Sequence, residues 1–185
     1  DVLVEIEEDT RERFLTSLST EEIAVSLDKM YADDATDVIQ DLPEDVQEEV
    51  LEALKDDEHL SEISQLLNYD EDSAGGIMDM DFISANCNWT IKNALKKFRE
   101  QVEDVDHVYT IYVIDDQKKL LGTLSLKRFL YASDSSLIKD VFKENPISVN
   151  VNEEAELVAS KMEKYDLVVI PVIDEGNQLL GRITI

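Results

Sequence analysis

One cysteine stands in a chain of 185 residues. Cys87 has no partner within the sequence, which excludes an internal disulfide and suits a reducing compartment. Basic residues are also scarce: 17 Lys and Arg face 43 Asp and Glu, for a formal net charge of -26. That surplus opposes binding to nucleic acid or anionic lipid and suits cations or basic partners. No apolar run approaches the roughly 20 residues that cross a bilayer, and the opening DVLVEIEEDT lacks the basic stretch of a signal peptide. Catalytic residues are few as well. His59 and His107 are distant in sequence, and no HExxH, GxSxG or Walker-type phosphate loop occurs. The expectation is a soluble, cytosolic chain that is not an enzyme.

What is present is enough apolar material, 43% of residues, to bury cores. The charge is uneven: residues 1–68 hold 22 acids and 4 bases, residues 69–185 hold 21 and 13. Such asymmetry implies separate units. Residues 19–66 repeat with a period of 12, as STEEIAVSLDKM, YADDATDVIQDL, PEDVQEEVLEAL and KDDEHLSEISQL. The ninth column reads Leu27, Ile39, Leu51, Ile63 and the twelfth Met30, Leu42, Leu54, Leu66. Acids cluster early in each unit and apolar residues follow at helical spacing, with Ser19 and Pro43 as helix starts. Because one unit cannot bury its stripe alone, stacked short helices are expected, an all-α region over residues 1–68.

After NYDEDSAGG the pattern changes. The β-rich runs HVYTIYVID and LVVIPVID alternate with the amphipathic segments WTIKNALKKFREQV and NEEAELVASKMEKY, which predicts an α/β unit. Residues 109–126 lie over 168–185 without a gap, matching at Ile111/Ile170, Val113/Val172, Asp115/Asp174 and Gly122/Gly181 among others. This is a tandem duplication. In each copy a strand ends at an Asp, a polar turn follows and LLG opens the returning strand, so each predicts a hairpin. Trp89, Leu95 and Phe98 fall at helical spacing and read as core. The closing LLGRITI reads as a strand in progress, so the chain is expected to be a piece of something longer.

The strand, VID turn and LLGTLSL, repeated once with ENPISVNVNEEAELVASKM between, resemble a CBS-domain pair. An acidic helical repeat, then YDEDSAGGIMD, then two such copies resembles the cytosolic region of MgtE-type magnesium transporters, with DSAGGIM and ADDATDV the most specific pieces. The resemblance implies residues 1–68 as an acidic helical N domain, 69–76 as a junction, 77–136 as a first CBS repeat and 137–185 as a second one truncated at its end. It also implies a role: Mg2+ binds between the N domain and the CBS pair and favours a closed transmembrane pore, five apolar spans beyond Ile185. That pore is the implied partner, on the cytoplasmic face of the cell membrane, with homodimerisation through the CBS repeats.

Asp33 and Asp37, spaced i,i+4, put two carboxylates on one helix face. Bare, such a pair costs roughly 0.2 to 0.5 kcal/mol. Mg2+ needs only one or two carboxylates and keeps several waters. The resemblance places the metal ligands at Asp33, Asp37, the backbone near Gly75 and Asp174, with Asp140 a further candidate. The alternative for each acid is a solvated face or a helix start. DEDSAGGIMDMD spaces its acids like a calcium loop but has Ala74 and Asp81 at two ligand positions, and is not expected to hold calcium. CBS pairs often hold an adenine nucleotide such as ATP, with a Ser or Thr and, three residues on, an Asp. Here Ser125 is followed three residues on by Arg128, which cannot accept a ribose hydrogen bond; Tyr109 remains to stack on a base and Lys127 or Arg128 to meet phosphate, but the preferred expectation is a surface basic pair and a strand tyrosine. Two functions therefore stand beside the Mg2+ sensor: an adenine-nucleotide sensor and an acidic scaffold that docks a basic protein.

Overall fold

Each twelve-residue unit of the N-terminal region folds as one helix: α1 is Thr20–Leu27, α2 Ala32–Gln40, α3 Glu44–Ala53 and α4 Asp57–Leu66. The starts are local chemistry. Ser19 and Glu22 form a reciprocal capping box on α1, and Asp56 accepts from the Glu58 and His59 amides on α4. The twelfth column, Met30, Leu42, Leu54 and Leu66, is buried throughout, as are Leu27, Ile39 and Ile63 of the ninth. Leu51 is the exception; it is half-buried and Val50 takes the inner position, a rotation of about 100°. Each helix packs on the next but one, α1 on α3 and α2 on α4.

The computed structural model describes residues 14, 15, 17–102, 105 and 107–185. These fall into two compact units that divide between Asp70 and Glu71. The second unit is the expected α/β pair. Its first repeat holds β1 (Ser84–Asn86), α5 (Ile91–Gln101), β2 (Ile111–Ile114), β3 (Leu120–Leu124) and α6 (Leu126–Tyr131). A 3-10 turn at Ile138–Asp140 leads to β4 (Lys143–Glu144); β5 (Val149–Asn150), α7 (Ala155–Tyr165), β6 (Val169–Ile173) and β7 (Leu179–Thr184) complete the second repeat. The sheets run β1-β2-β3-β4 and β5-β6-β7, with β1/β2 and β5/β6 parallel and each hairpin antiparallel. Both hairpins carry a register irregularity at the same place, after Val113 and after Val172. The duplicated sequence thus repeats its local geometry in detail.

Ile83, Ile91, Ile111, Val113, Leu124 and Phe129 form the first repeat's core, and Trp89, Leu95 and Phe98 pack against it as expected. The Phe98 and Phe129 rings lie 5.8 Å apart. Ile138, although placed after the expected boundary at 136, sits in this same core, and β4 pairs with β3. The reason is an exchange of edges. The segment before the first repeat adds Asp79 to β7 of the second, opposite Arg182, while the segment before the second repeat adds Lys143 to β3 of the first, opposite Thr123. Gly181 and Gly122, equivalent in the duplication, are where these segments cross. A Cβ at Gly181 would stand 2.8 Å from the Asp79 carbonyl oxygen and 2.9 Å from Met78 Sδ, and one at Gly122 would overlap the Lys143 carbonyl and the Phe142 ring. The hairpin tips also join, Leu120 N donating to Asn177 O at 2.9 Å and Leu179 N to Lys118 O at 3.0 Å.

Candidate metal and nucleotide sites

In the helical unit, Ala32, Ala35, Val38 and Ile39 turn the apolar face of α2 inward. Asp33 is consequently half-buried and Asp37 exposed on the other side of the helix. Tyr31 gives α2 no side-chain cap, and the acids Asp33 and Asp34 of its first turn face the positive end of its dipole. The two sequence-nominated carboxylates therefore do share a surface.

In the second unit the nominated positions lie in three different places. Gly75 is buried, its amide donating to Val151 O at 2.8 Å, while Ala74 N donates to Glu153 O and Ala155 N to Asp72 O, each at 2.7 Å. DSAGG is thus bound to the entry of α7. Asp174 closes the β6–β7 turn: its Oδ1 accepts from Gln178 N at 2.7 Å, just as Asp115 Oδ1 accepts from Lys119 N at 2.9 Å in the first repeat. Lys118 and Asn177 hold positive φ at equivalent points of the two turns. Asp140 is exposed at the end of its 3-10 turn. Glu153 is paired with Lys161 at 2.7 Å. Among the described residues, no three His, Cys, Asp or Glu side chains stand close enough to hold a metal by themselves. Mg2+ accepts one or two carboxylates with water completing its shell, so a site for it need not show such a cluster.

The nucleotide candidates sit around, rather than in, a cleft between the repeats. Its volume is about 310 Å³, and its polar lining is Thr110, Tyr112, Thr123, Lys143, Asn145 and Asp166. Tyr109 is half-exposed beside Thr110 and stacks on His107 with ring centres 6.0 Å apart. Ser125 caps α6 by accepting from Arg128 N at 3.3 Å, and the Arg128 side chain is exposed. The residue sequence reasoning missed is Tyr112. Only 1% of it is exposed and its hydroxyl has no hydrogen-bond partner. Burial pushes this hydroxyl well above its ordinary pKa, Asp79 adding to the effect and Arg182 opposing it, so it stays a neutral donor. An orphaned donor, a lysine and two threonines suit a ligand that brings acceptors and negative charge, as a nucleotide does.

The geometry, two βαβ hairpin units back to back with a polar cleft between, is that of a CBS pair, and residues 74–135 and 138–185 match the CBS domain family. Residues 1–72 match the MgtE intracellular N domain family. The magnesium transporter MgtE of Enterococcus faecalis (strain ATCC 700802 / V583) is 35% identical over 128 residues, which are 69% of this chain and 28% of that protein. A crystal structure of the soluble part of a magnesium transporter superposes with a TM-score of 0.90 at 33% identity, covering 100% of this chain and 73% of that one. The cytosolic domain of the Mg2+ channel MgtE in complex with ATP is similar too, with a TM-score of 0.89 at 28% identity over 99% of this chain and 75% of that one. The chain belongs to the MgtE family, as its N domain followed by its CBS pair. It spans under a third of the length of the E. faecalis relative.

Proposed function

We propose that this chain is the Mg2+-sensing regulatory region of a magnesium transporter, lying on the cytoplasmic face of the membrane and acting on a pore domain elsewhere in the protein. At low Mg2+ the carboxylates of the helical unit repel those of the CBS pair. At high Mg2+ ions shared between Asp33, Asp37 and carbonyl or carboxylate oxygens of the second unit, with Gly75, Asp174 and Asp140 as candidates, neutralise both surfaces and favour the closed pore. The observation that carries this reading is the charge of residues 1–68, 22 acids against 4 bases, in a chain of the MgtE family. An ion shifts such an equilibrium only through its differential affinity for one state. A site with a dissociation constant near 1 mM binds with about -4 kcal/mol, yet tenfold excess ion stabilises the bound form by only about 1.4 kcal/mol. Several coupled ions are therefore required. Two chains pair through their CBS repeats, where Leu130, Tyr131 and Leu157 are exposed apolar side chains.

Limited proteolysis without and with about 20 mM MgCl2 at constant ionic strength tests the reading. Mg2+ protects the connection around residues 66–71, and Na+ does less; identical digestion patterns would refute it.

A second reading, nucleotide sensing, is favoured by the cleft lining of Thr110, Thr123, Lys143 and Tyr112, whose buried hydroxyl is orphaned, and by a structural neighbour bound to ATP. Lys143 would meet phosphate there, and Thr110 and Asn145 the sugar or base. Calorimetric titration with ATP produces heat in the wild type and less in Lys143→Ala; absence of heat in both removes this reading. An acidic scaffold would instead bind a basic peptide in a salt-sensitive manner, with no response to Mg2+.

A further inference from the structure

A duplicated pair should contain two equivalent clefts, one on each side of its pseudo-twofold axis, yet the counterpart of the polar cleft is filled by the protein. In the ungapped match Arg182 is the counterpart of Thr123. Asp79 pairs with Arg182 as Lys143 pairs with Thr123, so Asp79 corresponds to Lys143. His107 stands four residues before Ile111, as Asp166 stands four before its match Ile170, so the two correspond. Thr123, Lys143 and Asp166 all line the open cleft. Their three counterparts are held together by one side chain: Arg182 Nε donates to Asp79 Oδ2 at 2.9 Å, Nη2 meets the same oxygen at 2.8 Å, and Nη1 donates to His107 O at 2.6 Å. Arg182 is only 6% exposed.

We propose that Arg182 is a built-in occupant of the second cleft, so that each chain offers one cleft, lined by Tyr112 and Lys143, to a small anionic ligand. The two sides differ in where the charges sit. On the closed side the strand supplies the cation, the entry segment supplies the carboxylate, and a backbone carbonyl takes a further donor; the guanidinium fork leaves little for a ligand to satisfy. On the open side the strand supplies only the Thr123 hydroxyl, and the ammonium of Lys143 stands on the entry segment instead. A ligand there must bring the negative charge and acceptors that Asp79 and His107 provide opposite. This anionic half rests on the nucleotide reading, whereas the filling of the second cleft by Arg182 does not.

Substitution in the whole chain tests the filling. Arg182→Ala should speed hydrogen exchange at the Asp79 amide, which donates to the residue 182 carbonyl at 2.8 Å, by about tenfold or more. Methylguanidinium at about 20 mM should slow that exchange and raise the thermal midpoint in Arg182→Ala alone, methylammonium doing neither. Arg182→Lys keeps the charge without the fork and should show a smaller acceleration; it serves the comparison if the alanine variant does not fold. Unchanged exchange at Asp79 in both variants, or no response to methylguanidinium, would overturn the proposal. The reciprocal change, Thr123→Arg with Lys143→Asp, recreates the pair on the open side and should abolish ATP binding while the circular dichroism spectrum is kept. Undiminished ATP binding in that double variant counts against the proposal. Absence of ATP binding in the wild type, with the methylguanidinium rescue intact, sinks the nucleotide reading and leaves Arg182 as the occupant.

Discussion

Tyr112 and Glu62 show how single residues record competing demands. The Tyr112 ring packs in T-shaped contact with Phe82, 5.9 Å between centres, while its buried hydroxyl lacks a partner. An unmet hydroxyl of this kind costs about 1 to 3 kcal/mol. Tyr112→Phe should therefore stabilise the second unit by about 1 kcal/mol or more in urea melts while lowering any affinity of the cleft for ATP; a destabilised variant would show the hydroxyl is satisfied. Glu62 on α4 has its pKa raised, first by burial, then by Glu58 and Asp56, with His59 opposing. A raised folded pKa means the fold prefers the protonated carboxyl, so its contribution is complete below the unfolded value near 4.3 and is lost as pH rises through the folded one. Glu62→Gln should accordingly raise the thermal midpoint at pH 7 and leave it unchanged below about pH 4. An equal shift at both pH values would assign the effect to something other than ionisation.

Elements were legible where one local rule repeats. The period of twelve located α1 to α4 because each unit must bury its ninth and twelfth residues; it misplaced only Leu51, since period alone does not say which of two adjacent apolar residues, Val50 or Leu51, turns inward. The matched VID and LLG pieces located both hairpins. The edge exchange was not legible, because Asp79 and Arg182 meet across 103 positions of sequence and neither belongs to a local pattern. One signal was there: Gly122 and Gly181 recur at equivalent points, and a glycine kept in both copies of a strand marks a close backbone approach. Gly181→Ala should cost about 1 to 3 kcal/mol, because the new methyl meets the Asp79 carbonyl and not a movable side-chain end. A cost below about 0.5 kcal/mol in thermal or denaturant melts would mean the crossing segment gives way.

For the whole molecule the sequence showed more of the charge than of the site. Asp33 and Asp37 lie four residues apart on α2, while Asp174 caps its turn through Oδ1 and Gly75 is tied to the entry of α7 through its amide. Turn and junction roles use the same residue types as metal sites, so residue type alone does not say which role, or whether both, a position serves. Asp33→Ala with Asp37→Ala should raise the Mg2+ midpoint for proteolytic protection about threefold or more, since a hard ion loses two of its few protein oxygens; an unchanged midpoint would remove both from the site. Ser73 and Asp79 are bridged to Glu154 and Arg182, so the segment between them is tied to the second repeat.

Each repeat thus completes its sheet with an edge carried in by the polypeptide that introduces its sibling. A gene fragment encoding one copy alone would make a protein with an unfilled border and a loose ribbon, and two such molecules could finish each other by trading ribbons. The doubled arrangement seen here is that trade made within one chain, where it no longer depends on concentration.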